Sequence, residues 1–146
     1  MSAFGRWEFT IDRDATIAAY ERAERGGSDE CKCDGCRNFA ATRDVVYPPA
    51  FLSFLHSLGI DFHKDGEVYH NARIGPGRHD YDGWFHFVGT LEKTGDFSVV
   101  PMSDSFEAWL LRKSAPAIPS LRGLPLVEVA FHATAVPWLL NETEPT

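Results

Sequence analysis

The sequence contains no apolar run approaching the ~18 residues that a membrane-spanning helix needs. Its first residues, Met1-Ser-Ala-Phe-Gly-Arg-Trp-Glu-Phe, lack the apolar region of a secretory signal. The chain therefore reads as soluble and cytoplasmic, with no membrane partner. Lys/Arg-rich runs are missing too. With 21 acidic residues against 14 basic ones the formal net charge is −7, which repels a phosphate backbone, so nucleic acid is not an expected partner. No glycine-rich phosphate loop is present, and no Ser or Cys stands in a nucleophile-elbow context. Internal repeats, low-complexity tracts and long linkers are absent, which reads as a single domain over residues 1–146.

Cysteine is scarce: there are three, all within Cys31-Lys32-Cys33-Asp34-Gly35-Cys36. An odd count in a reducing compartment argues against a structural disulfide and for metal ligands or redox groups. Large apolar residues are plentiful, with eleven Phe and four Trp. A chain of this size can build a core from them without disulfide or metal staples. Any metal is therefore expected to act locally and not to hold the whole fold.

Trp7, Phe9 and Ile11 alternate with polar residues, the period of a half-buried strand. Asp12 or Asp14 can cap a helix over residues 15–23, with Gly26-Gly27-Ser28 after its end. A second helix is predicted from about Asp34 to Tyr47, stopped by Pro48-Pro49. The prolines suit the first turn of a third helix carrying Phe51, Leu52, Phe54, Leu55 and Leu58, with Gly59 as its cap.

Strands are predicted over Glu67–Ile74, Tyr81–Leu91, residues 97–101, Ser105–Arg112 and Leu124–Ala135, with turns at Gly75-Pro76-Gly77 and Thr94-Gly95-Asp96. Ser114–Ser120 reads as a loop. Tyr81–Leu91 puts Trp84, His86 and Val88 on one face and Phe85, Phe87 and Gly89 on the other, a central strand covered on both sides. After the first strand, a block of helices precedes a block of strands. That segregation predicts an α+β fold, with N-terminal helices packed on a largely antiparallel sheet of about five or six strands.

The cysteines carry the most pointed chemistry. Cys33 and Cys36 have the C-x-x-C spacing of half a zinc knuckle, Gly35 permits its tight turn, and Cys31 is close enough to be a third ligand. A structural zinc site takes four ligands, so the fourth must be a histidine, a carboxylate, water or a group from a second chain. The last option would make a dimer. His56, on the third helix, is the first choice because the short Pro48-Pro49 connection is expected to fold that helix back near the second. His63, His70, His79, His86 and His132 read as core, loop or strand-edge residues.

Thiols at a helix N-terminus also become more acidic, so Cys36 and Cys33 have the spacing and setting of a redox or nucleophilic pair. The motif does not follow a strand of a βαβ unit, which counts against a thioredoxin-like reading. Asn38 is expected to fix the loop through its amide, and Phe39 to enter the core. His79, beside Asp80 and Asp82, could make a general base, although the Arg78–Asp82 run reads equally as turn chemistry. A third reading is an interaction module without site chemistry, binding a protein partner or itself through exposed aromatics such as Trp138.

C-x-C-x-x-C-x-N-F over Cys31–Phe39, followed by Leu58-Gly59-Ile60-Asp61, Gly83-Trp84-Phe85-His86-Phe87-Val88-Gly89 and Val136-Pro137-Trp138, resembles a group of small bacterial proteins of no known activity. The resemblance covers most of the chain from Cys31 onward and implies no substrate.

Overall fold

The computed structural model describes residues 1–93, 98–112 and 116–146. The predicted Thr94-Gly95-Asp96 turn and the start of the Ser114–Ser120 loop lie outside the described residues. In chain order the elements are β1 (Ser2–Phe4), β2 (Trp7–Ile11), α1 (Arg13–Arg22), α2 (Gly27–Glu30), α3 (Asp34–Val46), α4 (Pro49–Leu58), β3 (Glu67–Gly75), β4 (Arg78–Lys93), β5 (Val100–Ser103), β6 (Phe106–Leu111), a 3-10 turn at Pro119–Leu121, and β7 (Leu126–Val136). The fold is α+β, as the sequence predicts. Among the described residues the sheet has seven strands, more than the five or six expected, and its pairings are antiparallel. No helix of the described residues is long and apolar enough to cross a membrane.

β4 organises the sheet. Its order is β1-β2-β4-β7-β6-β5, and β3 shares one edge of β4 with β2. β3 pairs with β4 up to Trp84, and β2 pairs from Gly89 onward. Among the described residues, the backbone groups of His86 and Val88 in between have no strand partner on that edge, and α1 supplies one. Asp12 N–H donates to Val88 O at 2.8 Å, Val88 N–H donates to Thr16 Oγ1 at 3.0 Å, and Tyr20 Oη donates to His86 O at 2.7 Å. Buried strand groups are thereby satisfied by a helix. Asp12, one of the two predicted caps, accepts from Ala15 N–H at 3.0 Å and starts that helix.

Period-2 alternation puts Tyr81, Phe85, Phe87, Phe106, Val129 and Phe131 on one face of the sheet. Phe39 of α3 and Phe51 of α4 meet that face. Phe131 is fully buried, with the rings of Phe39, Tyr47, Phe51, Phe85 and Phe106 at 5.9, 5.5, 5.8, 6.1 and 5.4 Å. On the opposite face His86 and Glu128 are buried side by side, 3.3 Å apart. From Phe85 to Gly89 both faces are therefore covered, as expected of the central strand.

The turn after β3 is tighter than predicted: Pro76-Gly77 alone separates β3 from β4. Arg78 to Asp82 accordingly belong to the β4 ladder and do not form a turn at a strand end. Arg73 lies opposite His79, and His70 opposite Tyr81.

Candidate metal centre

The three cysteines sit where a short helix hands over to a longer one. Cys31 ends α2, its N–H bonded to Gly27 O at 3.1 Å. Cys33 is the N-cap of α3, its sulfur accepting from Cys36 N–H at 3.4 Å. Cys36, in the first turn of α3, is buried, whereas Cys31 and Cys33 are exposed. The three sulfurs lie within 4.8 Å of one another, a spacing at which one ion can bind all three. The Sγ atoms of Cys31 and Cys33 are 3.2 Å apart.

The local electrostatics differ from the expectation that Cys36 is the acidic thiol. The Cys33 N–H aimed at its sulfur draws the Cys31 pKa below the ordinary thiol value. Burial pushes the Cys36 thiol up. A helix N-terminus acidifies a thiol only while the thiolate stays hydrated or paired, and Cys36 points into the protein.

Neighbouring groups hold this segment. Arg37 Nε donates to Lys32 O at 3.0 Å, and its guanidinium forks onto Glu142. Tyr81 Oη donates to Gly35 O at 2.7 Å, and burial raises the Tyr81 pKa to about 12. Asn38 is fully buried, and its amide does not fix the cysteine loop as expected but bonds the C-terminal segment: Nδ2 donates to Pro137 O at 2.9 Å and Oδ1 accepts from Leu139 N–H at 2.7 Å. It thus ties the C-terminal segment onto α3. Asn38→Ala leaves Pro137 O and Leu139 N–H without these partners, and a loss of about 2 kcal/mol is expected in chemical denaturation. Unchanged stability would show that the clamp carries no weight. Phe39, as predicted, is core.

A cleft of about 870 Å³ opens beside the sulfurs. Its lining includes Cys31, Cys33, Cys36, Glu67, His70 and Ile118. His56 is not there. It lines a separate hollow with Arg13, Ile17 and Lys64, and the two hollows share no lining residue. The reason is the length of α3, whose 13 residues span about 20 Å. Pro48-Pro49 attaches α4 to the C-terminal end of α3, while the cysteines lie at its N-terminal end. α4 instead packs Phe54 on Phe4, with ring centroids 4.0 Å apart.

The other histidines are also placed. His63 is exposed between Asp44 and Asp61, each at 3.2 Å. His132 pairs with Asp80 at 2.8 Å. His79 is fully buried and bonds neither Asp80 nor Asp82; its ring nitrogens meet His70 and Glu144. Burial, and after it the neighbouring His79, lower the His70 pKa and favour the neutral imidazole. Trp138 is half-buried with its ring 5.2 Å from His79, so it is not the free aromatic expected of a docking surface. Glu144 is the group that sequence reasoning passes over, and His70 is set aside there as a loop or strand-edge residue. His70 ranks behind His56 because nothing near it in sequence ties it to the cysteines, and Glu144 reads as polar tail. No family model, curated protein or solved structure matches the chain.

Proposed function

We propose that the protein binds one zinc ion through Cys31, Cys33 and Cys36, and that the ion fixes the Cys31–Asn38 segment at the mouth of the cleft for structure or for contact with a partner. The observation that carries this reading is the convergence of three sulfurs within 4.8 Å at the start of α3. Thiolates are soft ligands and favour zinc over magnesium or calcium. The Cys36 N–H directed at the Cys33 sulfur fixes where that sulfur sits relative to the first turn of α3. The acidic chain has a large apolar core of its own, so the ion is a local cross-link.

A second reading is thiol chemistry without metal. The sequence points to Cys33 and Cys36 for it; the 3.2 Å contact and the exposure of both sulfurs favour Cys31 and Cys33 instead. Alkylation of the reduced protein, read residue by residue in a mass spectrometer, separates the two. Metal-free protein is expected to react at Cys31 and Cys33 well before buried Cys36. One equivalent of zinc is expected to slow all three at least about tenfold, because ligation occupies the sulfur lone pair. Rates that zinc leaves unchanged would overturn the metal reading and favour the thiol one.

A further inference from the structure

His70, His79 and Glu144 form one hydrogen-bonded chain that ends in the cysteine cleft. Glu144 Oε1 accepts from Gly77 N–H at 2.8 Å and lies 2.7 Å from His79 Nε2. The contact with His79 holds Glu144 below the ordinary carboxylate range, so it is ionised near neutral pH. An ionised carboxylate only accepts, so His79 Nε2 carries a proton. In the neutral ring His79 Nδ1 is then an acceptor. Its partner at 2.8 Å is His70 Nε2, which is the donor in that arrangement. A neutral His70 with its proton on Nε2 has a bare lone pair on Nδ1. Among the described residues, Nδ1 has no hydrogen-bond partner.

The position of the ring fits the same conclusion. His70 lines the cleft together with all three cysteines, but it stands outside the group whose ligand atoms lie within 4.8 Å of one another, so ligation requires its ring to move closer to the sulfurs. It packs against Gly35, the residue between Cys33 and Cys36: a Cβ on Gly35 would come within 2.9 Å of His70 Cβ. The Tyr81 ring, 5.0 Å from His70, and the Trp138 ring, 5.2 Å from His79, restrict how the imidazoles turn. A carboxylate that fixes the tautomer of a histidine is the usual support of an imidazole metal ligand.

We infer that His70, through Nδ1, is the fourth ligand of the ion bound by Cys31, Cys33 and Cys36, and that Glu144 and His79 are positioning residues for it. The inference rests on the three-cysteine reading. It makes the ion a cross-link between the start of α3 and the edge strand β3. It also gives the Asn38 clamp a purpose, since the clamped segment leads to Glu144.

X-ray absorption on the reduced, zinc-loaded chain tests it, alongside a competitive chelator titration. Wild type is expected to show three sulfurs, one nitrogen and imidazole outer-shell scattering. H70Q should lose the imidazole scattering and weaken zinc binding about a hundredfold, while H56Q changes neither. E144A does not threaten the core; it should keep the imidazole and weaken binding about 10- to 100-fold. Three sulfurs without imidazole in wild type, or imidazole scattering that survives in H70Q, would overturn the assignment and leave the three-cysteine site standing. Unaltered affinity in E144A would overturn the positioning role. Failure of wild type to bind zinc would overturn both readings.

Discussion

Replacing Cys33 by serine is expected to weaken zinc binding by at least about a hundredfold while leaving the metal-free fold in place. Structural zinc sites bind with about 10–16 kcal/mol shared among four ligands, so one thiolate carries about 3 kcal/mol, or two orders of magnitude in Kd. The metal-free fold survives because the Cys33 side chain has a second task. It caps α3, accepting from Cys36 N–H, and serine is among the best residues at that position. C33S therefore separates the two roles. Wild type in zinc at a hundred times its Kd should gain about 2.7 kcal/mol, which for a chain of this size raises Tm by about 5–10 °C. C33S should melt close to metal-free wild type and gain no more than about 0.4 kcal/mol at that zinc concentration. A zinc-induced rise in C33S equal to that of wild type would mean that Cys33 is not a ligand.

The largest stability loss is expected at the centre of the aromatic core. Phe131→Ala should cost about 3–5 kcal/mol, the range for truncating a fully buried phenylalanine, because five rings lose a shared neighbour. Gly83 lies directly opposite on β4. A Cβ there would come within 2.4 Å of the Phe131 ring and 3.0 Å of Glu67 O. Gly83→Ala therefore forces the ring aside and is destabilising by overpacking, about 1–3 kcal/mol. The two changes should not add. Once Phe131 is alanine the ring contact is gone and only the Glu67 contact remains, so the double variant should be more stable than the sum of the single losses predicts. Chemical denaturation of the four proteins measures this coupling. Additivity within about 0.5 kcal/mol would show that glycine at 83 is not there to admit the ring.

Local patterns predicted local structure well. The Asp12 cap, the second helix from Asp34, the prolines opening α4 and the alternation along β4 depend on neighbours a few residues away, and all stand in the structure. β1 escaped because three residues carry too little pattern to read as a strand. Long-range pairings were not legible. α1 serves as a partner for the unpaired edge of β4, but Tyr20 and His86 are 66 positions apart and nothing in either segment names the other. Asn38 is expected from the sequence to fix the cysteine loop, but its amide holds Pro137 and Leu139 of the C-terminal segment, partners that follow only from the path of the chain.

The fourth-ligand expectation shows the same limit. His56 follows from assuming that a short connection brings α4 back along α3. The length of α3 separates the two ends, and the hollows beside them are distinct. His70 reaches the cleft through hairpin register. A two-residue turn after Gly75 would by itself set Arg73 against Asp80 and His70 against Gly83. Register shifts between Arg73 and Gly75 and between His70 and Ala72 instead set Arg73 against His79 and His70 against Tyr81, and the His70 ring lies 5.0 Å from Tyr81 on the face toward α3. One residue more in that turn would have changed which side chains share the face.

Elemental analysis of tag-free protein expressed with ample zinc, combined with a count of free thiols in the same sample, tests the metal site most directly. The account predicts one zinc per chain, with Cys31, Cys33 and Cys36 unreactive until a chelator removes the ion. Protein without zinc, in which Cys31 and Cys33 react at once with or without chelator, would contradict it.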